Sequence, residues 1–314
     1  MDRVKVEDIS NFLNTSIISS YLVVQKELRK GVRDFYVRLK LSDNSGAIGS
    51  NIWNNAQSIS KQFKEGDVIK VKATVGKYRD NFQLTINNLR VMNPDEYDLS
   101  EYMTTTPKDR DILAKELFDF IDNITDKKIV ELLKAIFEDK EFFSQFLQSP
   151  AAKSWHHNYI GGLIEHTMAV TKLCNFASQQ YPVNKDLLIG GALLHDIGKV
   201  FEYSVKNVID FSDEGRLIGH ICLADRFICR KAEEINDFPK ETLMKIRHLV
   251  LSHQGEYENA TARLPQTIEA FILYFADNMD AQAAGVNQMM LAVMNDKAKW
   301  TQYNVIHNRY FYMG

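Results

Sequence analysis

Apolar side chains recur at every second position through the first hundred residues and at helical spacing after that. Residues 34–41 alternate apolar and polar groups, Asp43-Asn44-Ser45-Gly46 has turn chemistry, and residues 47–53 resume as a partner strand. Residues 17–28 form an earlier strand, residues 68–75 open a fourth after Gly66-Asp67, and residues 82–91 follow a turn at residues 78–81. A short amphipathic link covers residues 56–63. Helical spacing begins with Thr106 as N-cap and Pro107 at the first helical position, and continues through Ile112, Leu113, Leu117 and Ile121. Further helices are predicted over 126–137 (capped by Asp126), 140–147, 163–180, 185–197, from His220 onward, 240–251 and 266–284. Residues 200–212 read as a hairpin centred on Lys206-Asn207.

This order predicts a multidomain chain: an N-terminal five-stranded OB-fold barrel over residues 1–100, then an all-helical domain with a small hairpin excursion over 101–314. A length of 314 residues holds two domains of ordinary size.

A formal charge of −3 argues against a protein that coats nucleic acid without specificity, but permits a local basic groove. Cys174, Cys222 and Cys229 have no paired ligand spacing and read as reduced core residues. Acidic groups at positions 2, 7 and 8 and the lack of a long apolar run give no secretory leader and no membrane span, so a cytoplasmic location is expected.

The chemistry concentrates in the helical half. His195-Asp196 closes an apolar run and is followed by Ile197-Gly198-Lys199. His166 lies upstream; His220, His253 and Asp277 lie downstream, each within an otherwise apolar segment. A charged Asp196 at the end of a buried helix needs compensation, which a cation supplies. Imidazole with carboxylate suits a hard-to-borderline divalent ion, and six such groups exceed one tetrahedral site. Two ions sharing Asp196 would use them all.

The pattern of a first histidine, a His-Asp pair and a later aspartate resembles the HD-domain phosphohydrolase superfamily, and His220 and His253 resemble its two-metal branch. With the strand-rich front half, nearly the whole chain resembles the YhaM family of 3'-5' exoribonucleases, most closely in residues 162–199, 214–220 and 265–281. The resemblance implies a cytoplasmic hydrolase that shortens single-stranded RNA from its 3' end to 5'-mononucleotides, with single-stranded DNA left open as a second polymer. Two divalent ions are expected, Mn first because mixed nitrogen and oxygen ligation suits it, with Fe, Co, Mg and Zn open, and a homo-oligomer stays open. Asp196 and Lys199 are the catalytic candidates, the lysine for a phosphate or leaving oxygen. His156, His157 and Arg263 are candidates for substrate contact, and Asp280 for orienting a ligand.

On the barrel, Tyr36, Trp53, Tyr78 and Phe82 are candidate stacking platforms with Arg38, Lys77 and Arg79 beside them. Two rival functions stay open. One is an HD-type nucleotidase or cyclic-nucleotide phosphodiesterase on the same metal core. The other is a noncatalytic single-strand-binding protein, which would have no need of six ligands. The aromatic residues 300–312 read as a tail packed over the groove or over a subunit surface.

Overall fold

The computed structural model describes residues 3–31, 34–78, 81–98, 101–153, 155–205, 209–293, 299–305 and 307–314, the side chains of 292 and 293 excepted. It divides into two compact units, residues 1–105 with 204–210, and residues 106–203 with 211–314.

The first unit is a closed barrel of five strands in the order β1-β2-β3-β5-β4. These are β1 (Ser16–Lys30), β2 (Phe35–Asp43), β3 (Gly46–Ile52), β4 (Val68–Tyr78) and β5 (Asn81–Val91). Closure depends on β1 serving two partners: residues 16–22 pair with β4 and residues 22–30 with β2. A register shift between Val23 and Gln25 bends the strand where it changes partner, leaving Val24 as the extra residue. Parallel pairing of Gly49 with Gln83 joins β3 to β5. Inward positions of the alternating strands, such as Val37, Leu39, Leu41, Val71, Ala73 and Val75, are fully buried and form one core. A 3-10 turn over Val6–Phe12 and a one-turn helix, α1 (Ala56–Ile59), flank it.

The second unit is helical: α2 (Arg110–Asp122), α3 (Lys127–Phe137), α4 (Lys140–Phe146), α5 (Gly162–Ala177), α6 (Lys185–Leu194), α7 (Lys199–Glu202), α8 (Asp213–Ile218), α9 (His220–Glu233), α10 (Lys240–Ser252) and α11 (Ile268–Val293). Strands β6 (Tyr203–Val205) and β7 (Ile209–Phe211) pair as a two-stranded sheet, most of which falls in the 204–210 segment of the first unit. Leu187 to Leu194 are all buried, which places α6 at the centre of the bundle. Among the described residues no helix is long and apolar enough to cross a membrane.

Several sequence expectations need correction. Asp109, not Thr106, caps α2, accepting from the amides of Asp111 and Ile112. Thr106 instead donates its hydroxyl to Glu165 at 2.6 Å. The hairpin is shorter than 200–212, because Val200 to Glu202 continue as α7; Lys206 and Asn207 lie outside the described residues. The long helix over 185–197 ends at Leu194, and α11 runs to Val293 rather than 284. Cys174 is buried, but Cys222 is exposed and Cys229 half-buried. The C-terminal residues pair with one another, Trp300 with Tyr312 and Asn304 with Arg309. His307 then lies 5.2 Å from the ring of Trp155.

Candidate metal centre

Five helical elements converge on one buried point. His166 sits in the second turn of α5, His195 caps α6 with Asp196 next to it, His220 opens α9, His253 caps α10, and Asp277 lies within α11. Gly198 makes this convergence sterically feasible. It is in ordinary right-handed conformation (φ −65°), so its role is space rather than chain reversal. A Cβ there would lie 1.9 Å from the carbonyl oxygen of His220.

The six predicted ligands come together, and Asp196 divides them. Its Oδ2 faces His166 Nε2 at 3.4 Å and His195 Nε2 at 3.5 Å. Its Oδ1 faces His253 Nε2 at 3.4 Å and His220 Nε2 at 3.5 Å. Asp277 Oδ1 completes the first group, 3.1 Å from His166 Nε2. Ligand atoms about 2.0–2.2 Å from a common ion stand roughly 3–3.6 Å apart, a spacing that these separations match. Groups of His166, His195, Asp196 and Asp277, and of Asp196, His220 and His253, could each hold an ion.

The opposite edges of the histidines favour the same reading. Each Nδ1 meets an oxygen that can only accept: Asp280 for His166 (2.7 Å), Ala192 carbonyl for His195 (2.7 Å), Glu202 for His220 (3.1 Å) and Val250 carbonyl for His253 (2.6 Å). A hydrogen on Nδ1 suits each of these pairings and turns the Nε2 atoms toward the centre, where His253 Nε2 also meets Gln254 Nε2 at 3.1 Å. Among the described residues, Asp196 Oδ1 and His220 Nε2 are buried with no hydrogen-bond partner, as fits atoms meant for an ion.

Electrostatics sharpen the anionic character. Burial opposes ionisation of Asp196, yet Lys199 and the neighbouring imidazoles of His195, His166 and His253 hold it well below the usual carboxylate range. Asp277 is similarly pulled to about 2 against its burial, chiefly by the His166 hydrogen bond. Burial works against protonation of His166, but its three carboxylate neighbours raise it well above an ordinary histidine. Burial dominates at His195, which falls to about 4.

The other predicted site residues divide. Lys199 is buried and donates to Asp196 Oδ2 at 2.5 Å. It lines a cavity of about 200 Å³ beside the centre, with His156, Trp155, Tyr274 and Asp277. Both ring nitrogens of His156 are buried without a hydrogen-bond partner, and burial, with the neighbouring His166 and Lys199, pushes it down to about 3. His157 does not line this cavity: its nitrogens are committed to Tyr159 (2.7 Å) and Asp280 (3.1 Å) behind His166. Arg263 is exposed and also lies outside the cavity lining. Glu202, which anchors His220, was not anticipated because its segment read as a strand.

On the barrel, Tyr36 and Trp53 stack on one another with centroids 4.9 Å apart, and Trp53 is half exposed. Arg38, Tyr78 and Phe82 line one cleft with Asn51 and Gln83. Phe82 also packs partly against the barrel core, and Lys77 lies over its ring. Arg79 lies outside the described residues.

Residues 163–282 match the HD domain family, and residues 28–92 match a family described as an OB-fold nucleic acid binding domain. The chain joins an OB-fold to an HD module. The HD match over clustered imidazole and carboxylate atoms fits a metal-dependent phosphohydrolase. Similar solved structures include the second OB-fold domain of replication protein A from Methanococcus maripaludis, at 19% identity, covering 29% of this chain and 96% of that chain with a TM-score of 0.25. A crystal structure of a domain of the same protein gives 19%, 29%, 97% and 0.26. A putative aspartyl-tRNA synthetase from Leishmania major gives 13% identity, 49% of this chain, 36% of that chain and 0.25. At these scores the likenesses carry no functional weight.

Proposed function

We propose that the protein is a 3'-5' exonuclease that hydrolyses single-stranded RNA, and single-stranded DNA as a second polymer, to 5'-mononucleotides. The observation that carries the hydrolytic part is the division of Asp196, one oxygen toward each of two imidazole-containing groups. His166, His195, Asp196 and Asp277 would hold one divalent ion, and Asp196, His220 and His253 the other, with Mn preferred and Fe, Co, Mg and Zn as rivals. Such a pair lowers the pKa of a water and neutralises charge on a phosphoryl group in flight.

The chain's own residues supply the rest. Asp280 and Glu202 fix the tautomers of His166 and His220, so neither imidazole must reorient during a cycle. Lys199 would exchange its contact with Asp196 for a phosphate or leaving oxygen, a move of a flexible ammonium over a short distance. His156 lines the same cavity and would contact the ester from beside Lys199. Residues 1–100 would bind the strand through Trp53, Tyr78 and Arg38, and residues 101–314 would cut it. A cytoplasmic location and self-association belong to this reading as expectations.

The polynucleotide part rests on the OB-fold match and on exposed aromatics beside cations. The test is Mn-dependent digestion of RNA labelled at either end, with product analysis. Release of labelled 5'-mononucleotide from the 3' end at the outset, with progressive shortening of the 5'-labelled strand, is expected. Hydrolysis of free or cyclic nucleotides with intact RNA would instead favour the small-molecule reading.

A further inference from the structure

The cavity beside Lys199 has lining residues that the hydrolytic step does not use. Trp155 and Tyr274 line it, together with Asn278 and Gln282, one turn apart on α11. Both rings are held by glycine backbones. A Cβ on Gly285 would lie 2.2 Å from the Trp155 indole, and one on Gly255 would lie 2.2 Å from the Tyr274 ring. Gly255 also has φ +77°, which a side chain would strain. His307 lies against the indole at 5.2 Å. Two aromatic walls are therefore fixed before any ligand arrives, which lowers the ordering cost of stacking.

We propose that these residues form a pocket for one unpaired nucleobase, that of the nucleotide whose 5'-phosphate reaches Lys199. The proposal rests on the exonuclease reading for the identity of that nucleotide as the 3'-terminal one. A volume of about 200 Å³ suits one heterocycle rather than a base pair. Gln282 donates to Asn278 at 3.1 Å, which leaves further amide donors and an acceptor toward the base edge. Because an amide can turn over, the pair serves different bases, and the pocket selects for a base without selecting which.

The test is calorimetric titration of the full-length, Mn-loaded protein with adenosine 5'-monophosphate and with ribose 5-phosphate. The nucleotide should bind roughly tenfold to a hundredfold more tightly, the scale of one stacked base. Trp155→Ala and Tyr274→Leu should each erase most of that ratio, while Trp155→Phe should retain it. Metal content and thermal unfolding of each variant separate loss of the pocket from loss of the fold. Equal affinity for the two ligands, no measurable nucleotide binding, or a ratio that survives both substitutions but disappears in Trp53→Ala overturns the pocket. If RNA resists digestion while the ratio at Trp155 stands, the exonuclease reading fails and the base pocket remains.

Discussion

The carboxylate of Asp280 accepts from Nδ1 of His166 at 2.7 Å and thereby determines which nitrogen His166 turns to the candidate metal centre. Asp280→Ala should lower divalent-ion affinity at the His166 group about 10–100-fold, with Asp280→Asn between the two, since the amide oxygen still accepts. Competition with a calibrated chelator reads this directly. Unchanged affinity in the alanine variant would show that the orientation of His166 is fixed by packing alone.

Asp196→Asn should reduce hydrolysis at least about a hundredfold, a barrier increase of about 2.7 kcal/mol, with single-strand binding little changed. An amide cannot present anionic oxygen to both groups at once. Cleavage and binding should be measured on one preparation. Activity within a few-fold of the parent would remove Asp196 from the centre.

His220→Ala and His253→Ala should each leave about one ion where the parent holds about two, because both serve the Asp196 Oδ1 side. Metal analysis after dialysis decides it. A single ion in the reconstituted parent would contradict the two-metal reading.

The candidate ligands were legible because each is a polar residue in an apolar stretch, where burial is costly without a partner. What surrounds them was less so. Glu202 lies in Phe201-Glu202-Tyr203, whose alternation has the period of a strand, and only packing turns it into α7 against α9. Trp155 and Tyr274 gave no local signal, because their neighbours Gly285 and Gly255 are distant in sequence. The succession of five strands was readable from alternation and turns, whereas their pairing order and the bend at Val24 depend on β1 having two partners.

The barrel carries a pH dependence of its own. Burial pushes the Tyr21 phenol up to about 12, and its hydroxyl donates to the Val4 carbonyl at 2.8 Å. The folded state therefore binds this proton more tightly than the unfolded chain. The associated stability, about 2–3 kcal/mol, is fully present below about pH 10 and is lost as pH rises toward 12. Denaturant midpoints at pH 8 and pH 11, followed through Trp53 with Trp155 and Trp300 replaced by Phe, should fall further in the parent than in Tyr21→Phe. Equal falls would assign the alkaline sensitivity elsewhere.

Trp53→Ala with Arg38→Ala should cut kcat/KM for long RNA by about tenfold or more and leave a dinucleotide nearly unaffected. The charge contribution should weaken as salt rises. A parent-to-variant ratio that stays flat with substrate length would make the barrel an assembly element.

Asp277 and Asp280 stand three residues apart on α11, one as a candidate ligand and the other behind His166. A single-residue insertion or deletion between the start of that helix and Asp277 would turn both carboxylates together by roughly 100° about its axis. Point changes on its outer face would turn neither. Length in this segment is therefore under tighter constraint than composition.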